Sequence, residues 1–277
     1  MLALTNLDAM TPGSNPPADL RVEARDDGVV VVTLHLPERR NMMSARMTDS
    51  WARTMSEIRT DDTVRAVVVT GAGSAFCAGG DLSWIGSTPD ATVAQLRDRM
   101  IPFYRSWLSV RDLEVPTIAA VNGPAIGAGL ALALACDLRY AAEDAQLGMP
   151  FTRLGMHPGM ASTWLLPQAV GLPIARELLL TGHLVTGTEA AALGLVNRAV
   201  PRAAVLDEAL SVAASVAAAA PVATRLTKRA LADGGHATYA AALNWEALAQ
   251  PVTLATADLQ EGLAAQRERR PPRFTGH

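Results

Sequence analysis

Residues 122–137, NGPAIGAGLALALACD, constrain this chain more than any other stretch. A Gly/Ala turn runs directly into an apolar helical segment, and no side chain between Pro124 and Cys136 carries a charge. A second loop, AFCAGGDLSW at 75–84, has the same character. Each loop follows a short apolar strand, RAVVVT at 65–70 and TIAAV at 117–121. Glycine and alanine remove the side-chain obstacle, so backbone can approach something closely at both places. The amides at the start of the second helix have no internal partner, and the helix dipole favours negative charge there.

Around these loops the pattern alternates between strands and helices, which argues for an α/β fold. Residues 20–24 and 29–36 flank an Asp-Gly turn as two strands. Ser44 caps a helix with apolar positions at Met47, Trp51, Met55 and Ile58. A longer helix is expected from Thr88-Pro89 to about Val110, and short strands at 138–142 and 146–149. Beyond Pro201 the chain is Ala-rich and helical, with breaks expected at Pro221, Gly234-Gly235 and Pro251. The expected organisation is a leader at 1–19, a core at 20–202 and a helical region at 203–277. At 277 residues the chain is near the upper size for one hydrophobic core.

Composition narrows the function. A net charge of −3 supplies no basic footprint for nucleic acid or anionic membrane. No stretch reads as a membrane span or a signal peptide, so a cytoplasmic protein is expected. Cys77 and Cys136 lie in apolar surroundings and suit a reducing compartment better than a disulfide. No spacing of Cys and His suggests a metal.

Two nucleotide motifs fail. After Gly127 and Gly129 the sixth fingerprint position is Leu132, which rules against a dinucleotide fold. No Gly-Lys-Ser/Thr run makes a P-loop.

Several long segments, in order, resemble the enoyl-CoA hydratase/isomerase (crotonase) family. They are PERRNMMS (37–44), RAVVVTGAGSAFCAGGDL (65–82), PTIAAVNGPAIGAGLALALACDLRYA (116–141), LTGHLVTGTEAAALGLVNRAV (180–200) and DLQEGLAAQRERRPPRFTG (258–276). The resemblance implies a ClpP-like spiral of ββα units with a C-terminal helical oligomerisation region, as a homotrimer or dimer of trimers. It implies an acyl-CoA substrate, with coenzyme A as part of that substrate and no separate cofactor or metal. It also implies an oxyanion hole made of the Gly80 and Ala128 backbone N–H groups. Substrate contacts would come from Cys77, Ala78, Asp81, Leu82, Ser83, Trp84, Gly127, Ala131 and Phe151. Arg39 and Arg40 lie where the family chain passes the nucleotide, with Lys228 and the C-terminal arginines as further candidates for the CoA phosphates across a subunit interface. Trp84, Phe103, Trp107 and Met160 are candidates to shape the acyl pocket.

The departure is chemical. The hydratases of this family carry two glutamates, and the matching positions here are Ala131 and Phe151. Neither exchanges a proton. His157, in RLGMHPGMAS, is the remaining acid/base candidate, with a packing or capping histidine as the plainer alternative. Asp81 reads as a loop residue bonding amides. Cys77 has no visible His or Asn partner that would make it a nucleophile. Two functions stay open: an enzyme working through a thioester enolate, with double-bond isomerisation favoured over hydration, and a non-catalytic acyl-CoA binder.

Overall fold

A computed structural model describes residues 19–232 and 238–277, without the side chains of Trp84 and Ile85. Strands β1 (Leu20–Ala24) and β2 (Val29–Leu34) form the antiparallel hairpin expected around the Asp-Gly turn. Helix α1 (Ala45–Arg59) follows, its first turn capped by the Ser44 hydroxyl accepting from Met47 N. Its buried face is Met47, Trp51, Thr54, Met55 and Ile58. Strand β3 (Ala66–Gly71), the short α2 (Leu82–Ile85) and α3 (Val93–Leu108) come next.

Strand β4 (Thr117–Val121), β5 (Ala125–Ile126) and α4 (Ala128–Ala135) form one complete ββα turn. Strands β6 (Leu138–Ala142) and β7 (Gln146–Gly148) lead to α5 (Ser162–Thr181). Then come β8 (Val185–Thr186), α6 (Gly187–Ala192) and β9 (Arg198–Val200). The chain ends in α7 (Val205–Ala217), α8 (Pro221–Leu231), α9 (Tyr239–Leu254) and α10 (Ala257–Glu268).

Two sheets result. The larger runs β1-β2-β3-β4-β6-β9 and is parallel from β2 onward. The smaller runs β5-β7-β8. Successive units leave a strand in the larger sheet and then enter the smaller one, which is the crotonase spiral. All eight residues of α4 are buried. A helix of Leu, Ala and one Gly has no polar face to give to water, so it belongs in the interior.

Several boundaries differ from the sequence reading. The long helix starts at Val93 because Thr92 and Gln95 form a capping box, and it passes into a 3-10 turn at Ser109–Asp112. Pro251 lies inside α9 and does not end it, and Pro221 opens α8. Gly234 and Gly235 lie outside the described residues, as does the leader up to residue 18. Asp19 belongs to the fold: it is buried, accepts from the Ser44 hydroxyl at 2.7 Å and pairs with Arg46. Trp107 belongs to the core, stacked on Trp51 at 5.0 Å with its indole N–H donating to Thr48. It therefore offers nothing to an acyl pocket.

Asn41 has a positive φ of 54° and is fully buried. Its amide accepts from Leu36 N at 2.9 Å and donates to the carbonyls of Ala72 and Ala75, each at 2.8 Å. Replacing it by alanine leaves those groups without partners and removes a residue type that tolerates this backbone. Asn41→Ala should lower stability by about 3 kcal/mol, read as a lower urea midpoint with an unchanged slope.

Candidate active site

The two glycine loops lie side by side. Phe76 N and Cys77 N both donate to Pro124 O at 3.1 Å, and Ile126 N donates to Cys77 O at 3.0 Å. Cys77 and Ala125 thereby form a parallel bridge, and Met43 forms another with Gly80. The loops thus extend the smaller sheet past β5. Glycine is what lets them meet. A methyl group on Gly129 would sit 2.2 Å from Cys77 O, and one on Gly79 would sit 2.6 Å from Ile126 O.

The same contact orients the two amides. In a trans peptide the C=O and N–H point opposite ways. Gly79 O accepts from Met43 N at 2.8 Å, so the Gly80 N–H points away from Met43 and toward the second loop. Ala128 is the first residue of α4, and Gly127 O is already used by Ala131 N. The Ala128 N–H therefore projects backward from the helix start. Its nitrogen lies 3.4 Å from where a Gly79 methyl group would be. Among the described residues neither amide has an acceptor. The positive end of the α4 dipole lies at the same point, with no acidic side chain in the first turn to offset it.

Around this pair the side chains are apolar. Ala131 is fully buried one turn into α4. Phe151 packs its ring on Gly127, 3.4 Å from where a methyl group would be. Cys77 is fully buried, so only its main chain reaches the loop surface; burial pushes its thiol up to about 12. Any contact Cys77 makes with a ligand would therefore come through its main chain, since the thiol is enclosed by core. Ala78 N donates to Arg40 O at 2.9 Å, which ties the first loop to the turn before α1. Asp81 makes the expected loop bonds, accepting from Ser83 N at 2.9 Å and from the Ser83 hydroxyl at 2.5 Å. Leu82 is exposed beside it. The Trp84 side chain lies outside the described residues. Met160 is buried and Phe103 is half-buried against the core.

His157 is exposed, with Nδ1 2.8 Å from its neighbour's carbonyl, Pro158 O. Nδ1 bonds a carbonyl only as a donor, so the neutral ring leaves Nε2 without a proton. Among the described residues no carboxylate pairs with it. The same segment holds Tyr104, whose hydroxyl would lie 2.4 Å from a methyl group on Gly159; burial raises its pKa. Among the described residues no three His, Cys, Asp or Glu side chains gather as metal ligands.

Not every predicted cation is available. Arg39 stands 3.6 Å from Asp81 and half-exposed; Arg40 is exposed. Lys228 is taken up elsewhere: it pairs with Asp137 at 2.9 Å and donates to Val115 O at 2.8 Å, under the C-terminal end of α4. Arg270 is bound to Glu261 and Glu268 within the C-terminal segment. The sequence reading missed Asn41, Asn122 and Arg202, which brace the loops from behind. Asparagine beside each loop, in RRN and VNG, was the available signal.

These features have counterparts. The profile of the enoyl-CoA hydratase/isomerase family matches residues 24–277. A Thermus thermophilus protein, provisionally named an enoyl-CoA hydratase, is 41% identical over 253 residues, covering 91% of this chain and 100% of that one. Human mitochondrial enoyl-CoA hydratase domain-containing protein 2 is 36% identical over 256 residues, 91% of this chain and 87% of that one. The crystal structure of enoyl-CoA hydratase from Bacillus anthracis superposes with a TM-score of 0.88 at 34% identity, over 94% of this chain and all of the other. The chain belongs to the enoyl-CoA hydratase/isomerase family and has the crotonase fold. Among its described residues no single helix is long and apolar enough to cross a membrane.

Both thiols are buried, and Cys136 is likewise pushed up to about 12 by burial. At pH 8 they should stay protonated and enclosed. A thiol reagent such as DTNB should label neither in the native protein and both in guanidinium; rapid native labelling of Cys77 would contradict this burial.

Proposed function

We propose that this protein binds acyl- or enoyl-CoA thioesters and stabilises a thioester enolate with the Gly80 and Ala128 amides. The single observation supporting this reading is that the Gly80 and Ala128 N–H groups, on two loops that lie side by side, have no acceptor among the described residues, the second at the start of a buried helix. Donors held in place before the reaction stabilise an oxyanion without reorganising, and each is typically worth about 2.7–4 kcal/mol.

The chemistry favoured is double-bond isomerisation or a related proton transfer. Hydration needs groups that place a water at one carbon of the double bond and deliver a proton to the other. Ala131 and Phe151 supply neither, and the Phe151 ring against Gly127 takes the place of a carboxylate. Isomerisation needs one base: Nε2 of His157 removes a proton from the acyl chain, the electrons collect on the thioester oxygen, and the proton returns at the other end of the allylic system. The bare Nε2 supports His157 in this role. Arg39 and Arg40 are assigned to the CoA phosphates, and coenzyme A enters only as part of the substrate. The buried free thiols fit a reducing, cytoplasmic setting.

A second reading, a non-catalytic acyl-CoA binder, is favoured by the same Ala131 and Phe151 and by the absence of a carboxylate beside His157. Assembly as a trimer or pair of trimers is supported by α9. It buries none of its side chains and exposes Leu243, Leu248, Val252 and Leu254.

Proline is tolerated at the first position of a helix yet has no N–H. Ala128→Pro should therefore cut turnover about 10²- to 10³-fold while leaving the helix content unchanged by circular dichroism. His157→Gln should abolish exchange of acyl protons with D2O, followed by NMR, and leave thioester affinity within about twofold. Exchange that persists in that variant removes His157 from the mechanism. Absence of exchange in the wild type, with binding retained, favours the binder. Robust hydration of crotonyl-CoA would overturn the preference for isomerisation.

A further inference from the structure

The loops are held together at a third point, behind the amides. Cys77 is bridged to Ala125 in parallel register. Further along, a methyl group on Gly79 would lie 3.4 Å from Ala128 N. Behind the bridge lie Ser74 and Asn122. A single guanidinium spans that last pair: Nη1 of Arg202 donates to Ser74 O at 3.1 Å and to Asn122 O at 2.6 Å. Its Nη2 pairs with Asp144 at 3.0 Å. The fit is close, since a methyl group on Gly123 would lie 2.8 Å from Nη1 and 2.2 Å from Ser74 O.

Asn122 strengthens the same end. Its side chain donates to Gly71 O at 2.8 Å and Gly73 O at 3.1 Å, and accepts from Gly71 N at 3.2 Å. Asn41 holds Ala72 and Ala75 of the first loop from the other side. The Asn41 side chain holds the first loop alone, whereas Asn122 belongs to the second loop and its side chain reaches the first, so it too ties the two together. Arg202 alone among these three bonds main-chain oxygens of both glycine loops with one atom.

We propose that Arg202 is a positioning residue that fixes the register of the two loops and thereby the spacing of the Gly80 and Ala128 amides. This rests on the thioester reading above. The ion pair with Asp144 is not the source of the effect: both side chains are well exposed, at 40% and 67%, and such pairs contribute little. What counts is geometry. Arg202 lies in the turn Arg202–Ala204 that opens the helical region, and α7 packs on β3, β4 and β6. The guanidinium is thus fixed to the scaffold rather than to either loop. A small slip of one loop against the other carries an amide off the oxyanion, and a misplacement of about 1 Å costs about 100-fold in rate.

The test uses the full chain with a conjugated aryl-enoyl-CoA whose absorption shifts to the red when its carbonyl is polarised. At saturation, the wild type should show the shift. Arg202→Ala should bind within about threefold but lose most of the shift, with kcat down about 10- to 100-fold and KM little changed. Arg202→Lys, which keeps the charge on a single donor centre, should fall between them, and it answers the question if the alanine variant does not fold. Arg198→Ala, which removes a neighbouring ion pair with Glu208 away from the loops, should behave as wild type. Without ligand, amide hydrogen exchange should quicken in 72–80 and 122–130 together in Arg202→Ala. A wild-type shift and unchanged exchange in a folded Arg202 variant overturn the clamp alone. No shift in the wild type overturns the thioester reading and the clamp with it.

Discussion

The whole site depends on one close approach of backbone to backbone. Residues 76–79 and 124–129 run past each other so closely that Gly79 and Gly129 leave no room for a methyl group, with Cys77 O 2.2 Å from where one on Gly129 would be. Everything else follows from that contact. It extends the smaller sheet by the Cys77–Ala125 bridge, and it starts α4 beside the first loop. It also brings the Ala128 nitrogen to 3.4 Å from where a Gly79 methyl group would be. The interior position of α4 is the corollary. A helix that begins at the loop contact and enters the spiral has room only for small and aliphatic residues, and its eight positions are Ala, Gly and Leu.

The bracing around that contact is polar and local. Buried or half-buried amides of Asn41 and Asn122 satisfy loop carbonyls that the ladder cannot reach. At the far end of α4, Asp137 accepts from Thr117 N at 2.7 Å and from its hydroxyl at 2.9 Å, and Lys228 closes the network. These bonds answer the same need at both ends: backbone groups in irregular segments are costly unless paired. Among the described residues the Gly80 and Ala128 amides are without such a partner.

Much of the fold was legible because its determinants are local. The Asp-Gly hairpin, the Ser44 cap and the Met47-Trp51-Met55-Ile58 face each depend on neighbours within a few residues. The strand at Thr117–Val121 is a fully buried apolar run and reads as one. The start of α3 was misplaced because Thr88-Pro89 and Thr92-Gln95 are both helix-opening signals, and only the second closes a capping box. Trp107 was read as pocket because an aromatic on an amphipathic helix looks the same whether it meets ligand or Trp51. The two glycine loops were legible as a pair. Their register was not, since it is set by contacts between segments about fifty positions apart along the chain, and Arg202 comes from further still. Lys228 shows the same limit: its charge is visible in the sequence, its partner Asp137 is not.

The donor groups of this site belong to the peptide unit, which every residue carries. Side-chain replacement at Ala128 alters what surrounds the amide, while the hydrogen that the proposed reading gives to the substrate oxygen stays, proline excepted. On the proposed reading, recognition and reactivity are inherited separately: the first through the small-residue packing of the loops, the second through positions such as Ala131, Phe151 and His157. A scaffold divided in this way could trade one reaction for another by exchanging a few side chains, with the proposed grip on the thioester intact throughout.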